Sequence, residues 1–302
     1  MSSLFAQLLN GLQYGLLLFL ISSGLTLVFG VLGIINLAHG SLFMIGAYTA
    51  FVVSTKMWGG SLWVALPVAV LGGLVLGAAL ERGLFRYFTK REHLDQVLLT
   101  FALILIFEEG RSILIGNDFH SVSVPARLDF SIPITRGFSY SAYRFAVIGI
   151  CLVLAAALFL WIERTRTGAV IRAAAEKSEM VDILGLDARR IHMTVFAVGT
   201  ALAMLAGALA APLTSVYPNM GDGLLIIISF VVVVIGGLGS VSGAFWAALL
   251  IGLIDTLGKA YGPAFQGSML GNIASAFASM SIYALMVVVL LWRPTGLFGR
   301  PA

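Results

Sequence analysis

Residues 146–162 read AVIGICLVLAAALFLWI, a run that contains no charged side chain. A helix needs roughly 20 mostly apolar residues to cross the hydrocarbon core of a bilayer. A strand of a membrane β-barrel would instead alternate apolar and polar residues over about ten positions. The run therefore predicts a membrane-spanning helix, and a second run at 282–292 has the same character.

The whole chain shares this composition, with 60% hydrophobic residues, 11% charged residues and a mean hydropathy of +1.02 over 302 residues. A soluble domain carries about 25% charged residues. We predict an all-α, polytopic transmembrane helical bundle that forms one domain over residues 1–302. It has nine spans, or eight if residues 30–40 or 236–243 form a break inside the membrane. The expected spans are 8–29, 38–56, 62–80, 97–115, 144–162, 192–211, 223–240, 243–259 and 274–292.

Basic residues are concentrated in three parts of the chain, which are residues 81–96, residues 163–191 and the C-terminal tail. Together these hold twelve of the eighteen Lys and Arg residues. Cytoplasmic loops of membrane proteins carry such an excess. We therefore expect these segments and the C-terminus on the cytoplasmic side, and the N-terminus outside if there are nine spans. If spans 1–4 and spans 6–9 are equivalent units, matching spans are five apart in the chain. Because five is odd, matching spans would cross the membrane in opposite directions, which would make the chain an inverted repeat.

Residues 164–191, RTRTGAVIRAAAEKSEMVDILGLDARRI, resemble a soluble helix pair. Ala173–Ala175 favour a helix, Gly185 can end one, and Asp187 can cap the next. A short helix lying along the membrane would suit the docking of a motor protein. An ordinary solvated loop is the alternative.

Polar residues interrupt the apolar sequence at 28–48, where Asn36 and His39 lie between glycines that include Gly40. Polar groups at membrane depth usually face a cavity or a partner. They either line the solute pathway or cap the second span. Glu108 and Arg111 can pair on one helix face, or they can contact a soluble binding protein.

No cofactor or metal is expected in this chain. The single cysteine, Cys151, lies in an apolar run as a packing residue, and the histidines lack metal-ligand spacing. The sequence has no phosphate-cradling loop that ends in Lys, so ATP would have to be bound by partner subunits.

Four segments, taken in order, resemble the branched-chain amino acid ABC importer permeases of the LivH type. They are INLAHGSLFMIGAY at 35–48, RAAAEKSEMVDILGLDARRI at 172–191, GGLGSVSGAFWAALLIGL at 236–253 and RPTGLFG at 293–299. The resemblance implies a bacterial inner-membrane protein with a second, LivM-like permease, two cytoplasmic ATPases and a periplasmic binding protein as partners. It implies no nucleic-acid partner and no enzymatic activity. It also implies that Arg172, Ala174, Glu176, Glu179 and Gly185 couple the permease to the ATPase. The residues that would line the pathway are Asn36, His39 and Gly40.

The expected function is import of leucine, isoleucine and valine by alternating access. One alternative is a permease of the same family for urea, amides or other amino acids. Another is an ion-coupled secondary transporter, for which Asp255 is the best mid-span carboxylate. An intramembrane enzyme would need paired carboxylates or a nucleophile with a base at membrane depth, and the sequence offers neither.

Overall fold

The computed structural model describes residues 2–57, 61–89, 91–135, 138–176, 187–261 and 269–299. The helices are α1 (Ser2–Leu32), α2 (His39–Phe51), α3 (Leu62–Leu80), α4 (Arg86–Phe88), α5 (His93–Ile115), α6 (Ala142–Arg164), α7 (Arg166–Glu176), α8 (Ala188–Ala210), α9 (Leu224–Gly236), α10 (Val241–Tyr261) and α11 (Met269–Trp292). A π-helical stretch at Val52–Lys56 extends α2, and another at Glu81–Phe85 joins α3 to α4. The strands are β1 (Ser131–Thr135) and β2 (Phe138–Ser141), which form a small antiparallel hairpin that the sequence analysis did not predict.

Five helical stretches in the described residues are long and apolar enough to cross a membrane. They are Leu4–Leu32, Leu62–Phe88, Ala142–Arg164, Ala188–Ala210 and Val241–Tyr261. Helix α5 is as long, but it carries Glu108, Glu109 and Arg111. The prediction of a helical membrane bundle is confirmed, and the exact number of spans stays a prediction.

The two ends of the bundle can be told apart by the residues that line one cavity. Gln13 and Tyr14 near the start of α1, Arg144 at the start of α6, Ala210 at the end of α8 and Lys259 near the end of α10 all line it. Helix α7 follows the end of α6 and precedes α8, so it lies at the opposite end. Helices α1 and α8 therefore run in opposite directions.

Helices α1 and α8 form the centre of the bundle. Helix α1 packs along α10, where a methyl group on Gly15 would lie 2.8 Å from the carbonyl oxygen of Ala248. In the same manner α8 packs along α3, where a methyl group on Gly77 would lie 2.8 Å from Cα of Ala197. Such close backbone approach is the role of small residues between membrane helices. This matched packing of two oppositely directed halves is the arrangement expected of an inverted repeat.

Helix α2 begins inside the bundle. After α1 ends at Leu32, Gly33 adopts a φ of +68° and the chain turns back. His39, the first residue of α2, then contacts Ile21, which lies near the middle of α1. Residues 30–40 thus return into the bundle, as a break within the membrane would require, and whether they lie inside the membrane stays a prediction.

Helix α9 also begins inside the bundle. Residues 212–222 were expected as a loop on the outer side, and Val216 pairs with His120 of another segment expected there. The end of this loop departs from the prediction, because Gly221 lies against Gly40 at the start of α2. The other weak point, residues 236–243, is a tight turn in which Gly239 lies against Gly30 near the end of α1. The segment that enters the bundle is therefore the one that precedes α9, and the segment that follows α9 is a short turn. Glycines at both contact points allow this, because neither segment presents a side chain to the other.

The segment after α11 folds back onto the end of α9. The backbone N–H groups of Leu297 and Phe298 donate hydrogen bonds to the carbonyls of Ile235 and Gly236, at 2.8 and 3.1 Å. Gly296 allows this path with a φ of +83°. The tail thus satisfies carbonyls that the last turn of a helix leaves without partners.

Candidate functional site

The starts of α2 and α9 meet in one place, which we call the crossing and define as Asn36, His39, Gly40 and Gly221. Neither helix has a side-chain cap at its start, where Ala38 and Gly223 occupy the N-cap positions. The positive ends of both helix dipoles therefore lie in the interior. Half-span helices that begin near the membrane midplane are typical of solute-binding regions in transporters.

Two cavities lie beside the crossing. The large cavity, of about 450 Å³, reaches along α1 from Gln13 to Ile21. The small cavity, of about 240 Å³, lies one turn further along α1 at Leu25 and also contacts α11 at Tyr283. The two cavities are lined by successive parts of α1 and by different residues of α9.

His39 is fully buried at the centre of the crossing. Its Nε2 lies 3.0 Å from the carbonyl oxygen of Ile21, and its Nδ1 has no partner among the described residues. The structural alternative to a pathway role was that this residue caps α2 and bonds nearby carbonyls; it forms no cap, but it does bond a carbonyl. The hydrogen bond instead ties the start of α2 to the middle of α1.

Asn36 lines the small cavity with its side-chain amide almost completely buried. The Oδ1 atom has no hydrogen-bond partner in the described part of the chain. The remaining wall is apolar and includes Leu25, Ile227 and Met286. An unpaired buried acceptor is costly, so this oxygen is an unsatisfied polar atom of the crossing.

Gly40 fits its place because it has no side chain. A methyl group there would overlap the carbonyl oxygen of Gly221 and lie 2.9 Å from its carbonyl carbon. Any side chain at Gly40 would therefore push α2 away from the segment that leads into α9.

Three further polar side chains near the crossing were not identified from the sequence. The hydroxyls of Ser22, Ser41 and Thr200 are buried and have no partner among the described residues. Single serines and threonines in apolar runs give little signal, because most of them bond the carbonyl one turn back, as Thr26 does here with Ser22. Only the fold distinguishes the unpaired hydroxyls from the paired ones.

The proposed coupling residues lie at the other end of the molecule, on α7. This helix packs against α1, α6 and α8. Arg172 donates to the carbonyl of Ile162 and lies 3.7 Å from the carboxylate of Glu163. Ala174 is buried against the bundle, whereas Glu176 is exposed. Glu179 and Gly185 lie outside the described residues.

The start of α8 follows the sequence prediction. The side chain of Asp187 accepts a hydrogen bond of 3.0 Å from the backbone N–H of Arg189, which is an N-cap. The same carboxylate lies 3.1 Å from the guanidinium of Arg190. Cys151 is fully buried and free, as expected for a packing residue.

The predicted ion pair between Glu108 and Arg111 is not formed. Arg111 donates instead to the carbonyl of Gly116 and to Oδ1 of Asn117, the latter at 3.0 Å, and lies over the ring of Tyr48. These acceptors follow the end of α5. The long Arg111 side chain therefore donates to groups at the helix C-terminus instead of pairing with Glu108 one turn back.

Asp255, the candidate carboxylate for ion coupling, is buried and paired. Its Oδ2 lies 2.7 Å from Nζ of Lys259, one turn along α10. A carboxylate neutralised by a built-in cation is not available to bind a coupling sodium ion or proton. This geometry disfavours the secondary-transporter alternative.

The fold and the crossing together define a polytopic membrane protein in which two helices begin inside the bundle, an arrangement found in solute permeases. The family model described as "Branched-chain amino acid transport system / permease component" matches residues 7–290. The chain belongs to this family.

Named relatives are similar over almost the whole chain. The high-affinity branched-chain amino acid transport system permease protein BraD of Pseudomonas aeruginosa is 30% identical over 98% of this chain and 95% of its own length. LivH of Salmonella typhimurium is 29% identical over the same shares. LivM of that organism is 25% identical over 91% of this chain and 66% of its own length. All three are named as transport permeases, not as enzymes. No solved structure matches the chain significantly.

Proposed function

We propose that the chain is the membrane-embedded permease subunit of an ATP-driven importer for leucine, isoleucine and valine, working by alternating access. The observation that carries this proposal is the crossing, at which two uncapped helices begin inside the bundle beside two cavities. Such a point is where a pathway would be closed in one state and opened in another.

The crossing suits a small zwitterion. Two helix N-termini favour a carboxylate. The Asn36 oxygen and the buried hydroxyls, which have no partner among the described residues, would become acceptors for an ammonium group once the crossing opens. Apolar walls on both sides suit an aliphatic side chain. Solute passage would require α2 to move away from α9, because Gly40 and Gly221 lie in direct contact.

Orientation follows from charge. The α7 end carries most of the Lys and Arg residues, so we place it and the C-terminus in the cytoplasm of a bacterial inner membrane. The large cavity then lies toward the periplasm, where a binding protein would deliver the solute. A LivM-like permease would complete the pathway, and two ATPase subunits would bind the ATP.

Helix α7 is the proposed docking site for one ATPase. Its exposed face, which includes Glu176, would contact the motor, while Ala174 anchors it to the bundle. Because α7 packs against both α1 and α8, a displacement of α7 would be transmitted to the helices that hold the crossing. Glu179 and Gly185 belong to the same proposal on the basis of sequence.

The test of the proposed function is reconstitution in vesicles. The chain together with the second permease, the two ATPases and the binding protein should accumulate leucine, isoleucine and valine when ATP is supplied. Urea and acetamide are the comparison solutes. Leucine accumulation by this chain alone, driven by an ion gradient, would contradict the proposal, and so would preferred uptake of urea or acetamide by the complete system.

The docking proposal has its own experiment. Glu176→Lys should lower the ATPase activity stimulated by the loaded binding protein, and Glu92→Lys, an equal charge change at an exposed position before α5, should not. Replacement of Glu179 or Gly185 by Trp tests the part of the docking proposal that rests on sequence. Normal stimulation in all of these variants would reject α7 and the residues after it as the docking segment.

A further inference from the structure

Arg144 lines the large cavity and has only neutral partners. Its Nη1 donates to Oδ1 of Asn10 at 2.8 Å and to Oε1 of Gln13 at 3.3 Å. No carboxylate lies within 4 Å of it among the described residues. The other cation of the cavity, Lys259, is neutralised by Asp255. Arg144 is therefore the positive charge that the cavity wall leaves uncompensated.

The groups beside Arg144 hold it in position. Tyr140 donates to Asn10 over 3.2 Å, and its ring lies 5.9 Å from the guanidinium carbon. Burial raises the pKa of Tyr140, so the phenol keeps its proton and acts as a donor. The two amide oxygens are thus shared between Tyr140 and Arg144. This fixes one edge of the guanidinium and leaves its other N–H groups for a ligand.

Asp222 brings a negative charge to the same cavity. It lies just before the start of α9 and lines the cavity. Glu108 of α5 interacts with this carboxyl group but is not among the residues that line the cavity. A carboxylate favours a cationic partner close by. Asp222 is therefore suited to receive a cationic group.

Apolar residues form much of the remaining cavity wall. They include Leu17, Leu18 and Ile21 of α1, Phe43 of α2, and Leu225 and Ile228 of α9. The volume of about 450 Å³ lies within the roughly 300–1,000 Å³ of small-molecule sites. The cavity offers a cation, a carboxylate and an aliphatic wall together.

We propose that the large cavity is a binding site of the permease itself for a zwitterionic aliphatic amino acid. The carboxylate binds Arg144, the ammonium binds Asp222, and the side chain lies on the apolar wall. This inference rests on the proposed function and names a recognition site within it. The permease then selects its solute a second time, after the binding protein has released it.

The experiment uses the complete membrane complex in nanodiscs, without the binding protein, and measures competition against radiolabelled leucine. The probes are leucine, leucinamide, which lacks the carboxylate, and 4-methylpentanoate, which lacks the ammonium. Leucine should compete about 10-fold or more better than either analogue, because each analogue loses one charge-assisted contact. Equal competition by all three, or no saturable leucine binding, overturns the proposal.

Single substitutions test which residue binds each charged group of the ligand. Arg144→Gln should weaken leucine about 10- to 100-fold and leave leucinamide unchanged, and Arg144→Lys should recover part of the loss. Asp222→Asn should weaken leucine and leucinamide and spare 4-methylpentanoate. The matched controls are Arg127→Gln and Asp129→Asn, which remove the same charges at exposed positions outside the cavity.

Each remaining outcome also supports or refutes the proposal. If Arg144→Gln weakens leucine and leucinamide equally, the residue acts only on the fold and the proposal fails. If Arg144→Gln does not fold, Arg144→Lys and Asp222→Asn still separate the two charges. Uptake by the complete wild-type system distinguishes a failure of the proposed function from a failure of the recognition site. Absence of leucine import refutes the proposed function, whereas import that these variants leave intact refutes only the recognition site.

Discussion

The contact between α1 and α8 at Gly24 offers the sharpest test of the crossing. A methyl group on Gly24 would lie 2.5 Å from the carbonyl oxygen of Gly199 and 3.0 Å from Cε1 of His39. Ordinary contact between carbon and a carbonyl oxygen begins near 3.3 Å. Gly24→Ala must therefore separate the two helices by about 0.8 Å, and it also displaces the ring of His39.

Overpacking of this kind costs about 1–3 kcal/mol. If that cost falls on the closed crossing alone, it shifts the balance between closed and open states by about 5- to 150-fold. We expect at least about 5-fold lower ATP-driven leucine uptake and more ATP hydrolysed per leucine at an equal amount of protein in the membrane. Gly24→Val, which adds more volume, should be worse than Gly24→Ala.

The control is Gly149→Ala on α6, where a methyl group meets no atom within 4 Å. It should leave uptake unchanged or improve stability slightly, because alanine favours a helix over glycine. Wild-type uptake and wild-type melting of Gly24→Ala would show that α1 and α8 do not need close contact for transport, and the role assigned to the crossing would be refuted.

Three further predictions concern single residues. His39→Ala removes the hydrogen bond to Ile21 and should lower leucine uptake without lowering the amount of protein in the membrane; unchanged uptake would leave His39 as a packing residue. Asp187→Ala removes the cap of α8 and should cost about 0.5–2 kcal/mol of stability, measured as a lower melting temperature, whereas Asp129→Ala at an exposed turn should not; equal melting would disprove the cap's contribution. Cys151, fully buried in α6, should react with a water-soluble maleimide only after denaturation, and rapid labelling of the native protein would contradict its burial.

The sequence predicts the class of fold because hydropathy depends on composition along the chain. Runs such as residues 146–162 can satisfy their backbone in lipid only as helices. The cap at Asp187 was also predictable, since a capping side chain acts within three residues of its own position. Local rules were sufficient in both places.

The start of α9 could not be predicted in the same way. Residues 212–222 have the glycine and proline content of a surface loop, and only the contact between Gly221 and Gly40 shows that they enter the bundle. The two residues are far apart in sequence, so no local pattern links them. Arg144 was missed for a similar reason, because its neutral partners come from the first helix.

The tail that folds over the end of α9 has a practical consequence for anyone who purifies this protein. Leu297 and Phe298 supply the N–H groups that complete the last turn of α9. An affinity tag that replaces residues 295–299 would leave the carbonyls of Ile235 and Gly236 bare on a helix that also lines both cavities. A tag added beyond Gly299 keeps those bonds, so the point of fusion decides whether the isolated protein retains a native pathway.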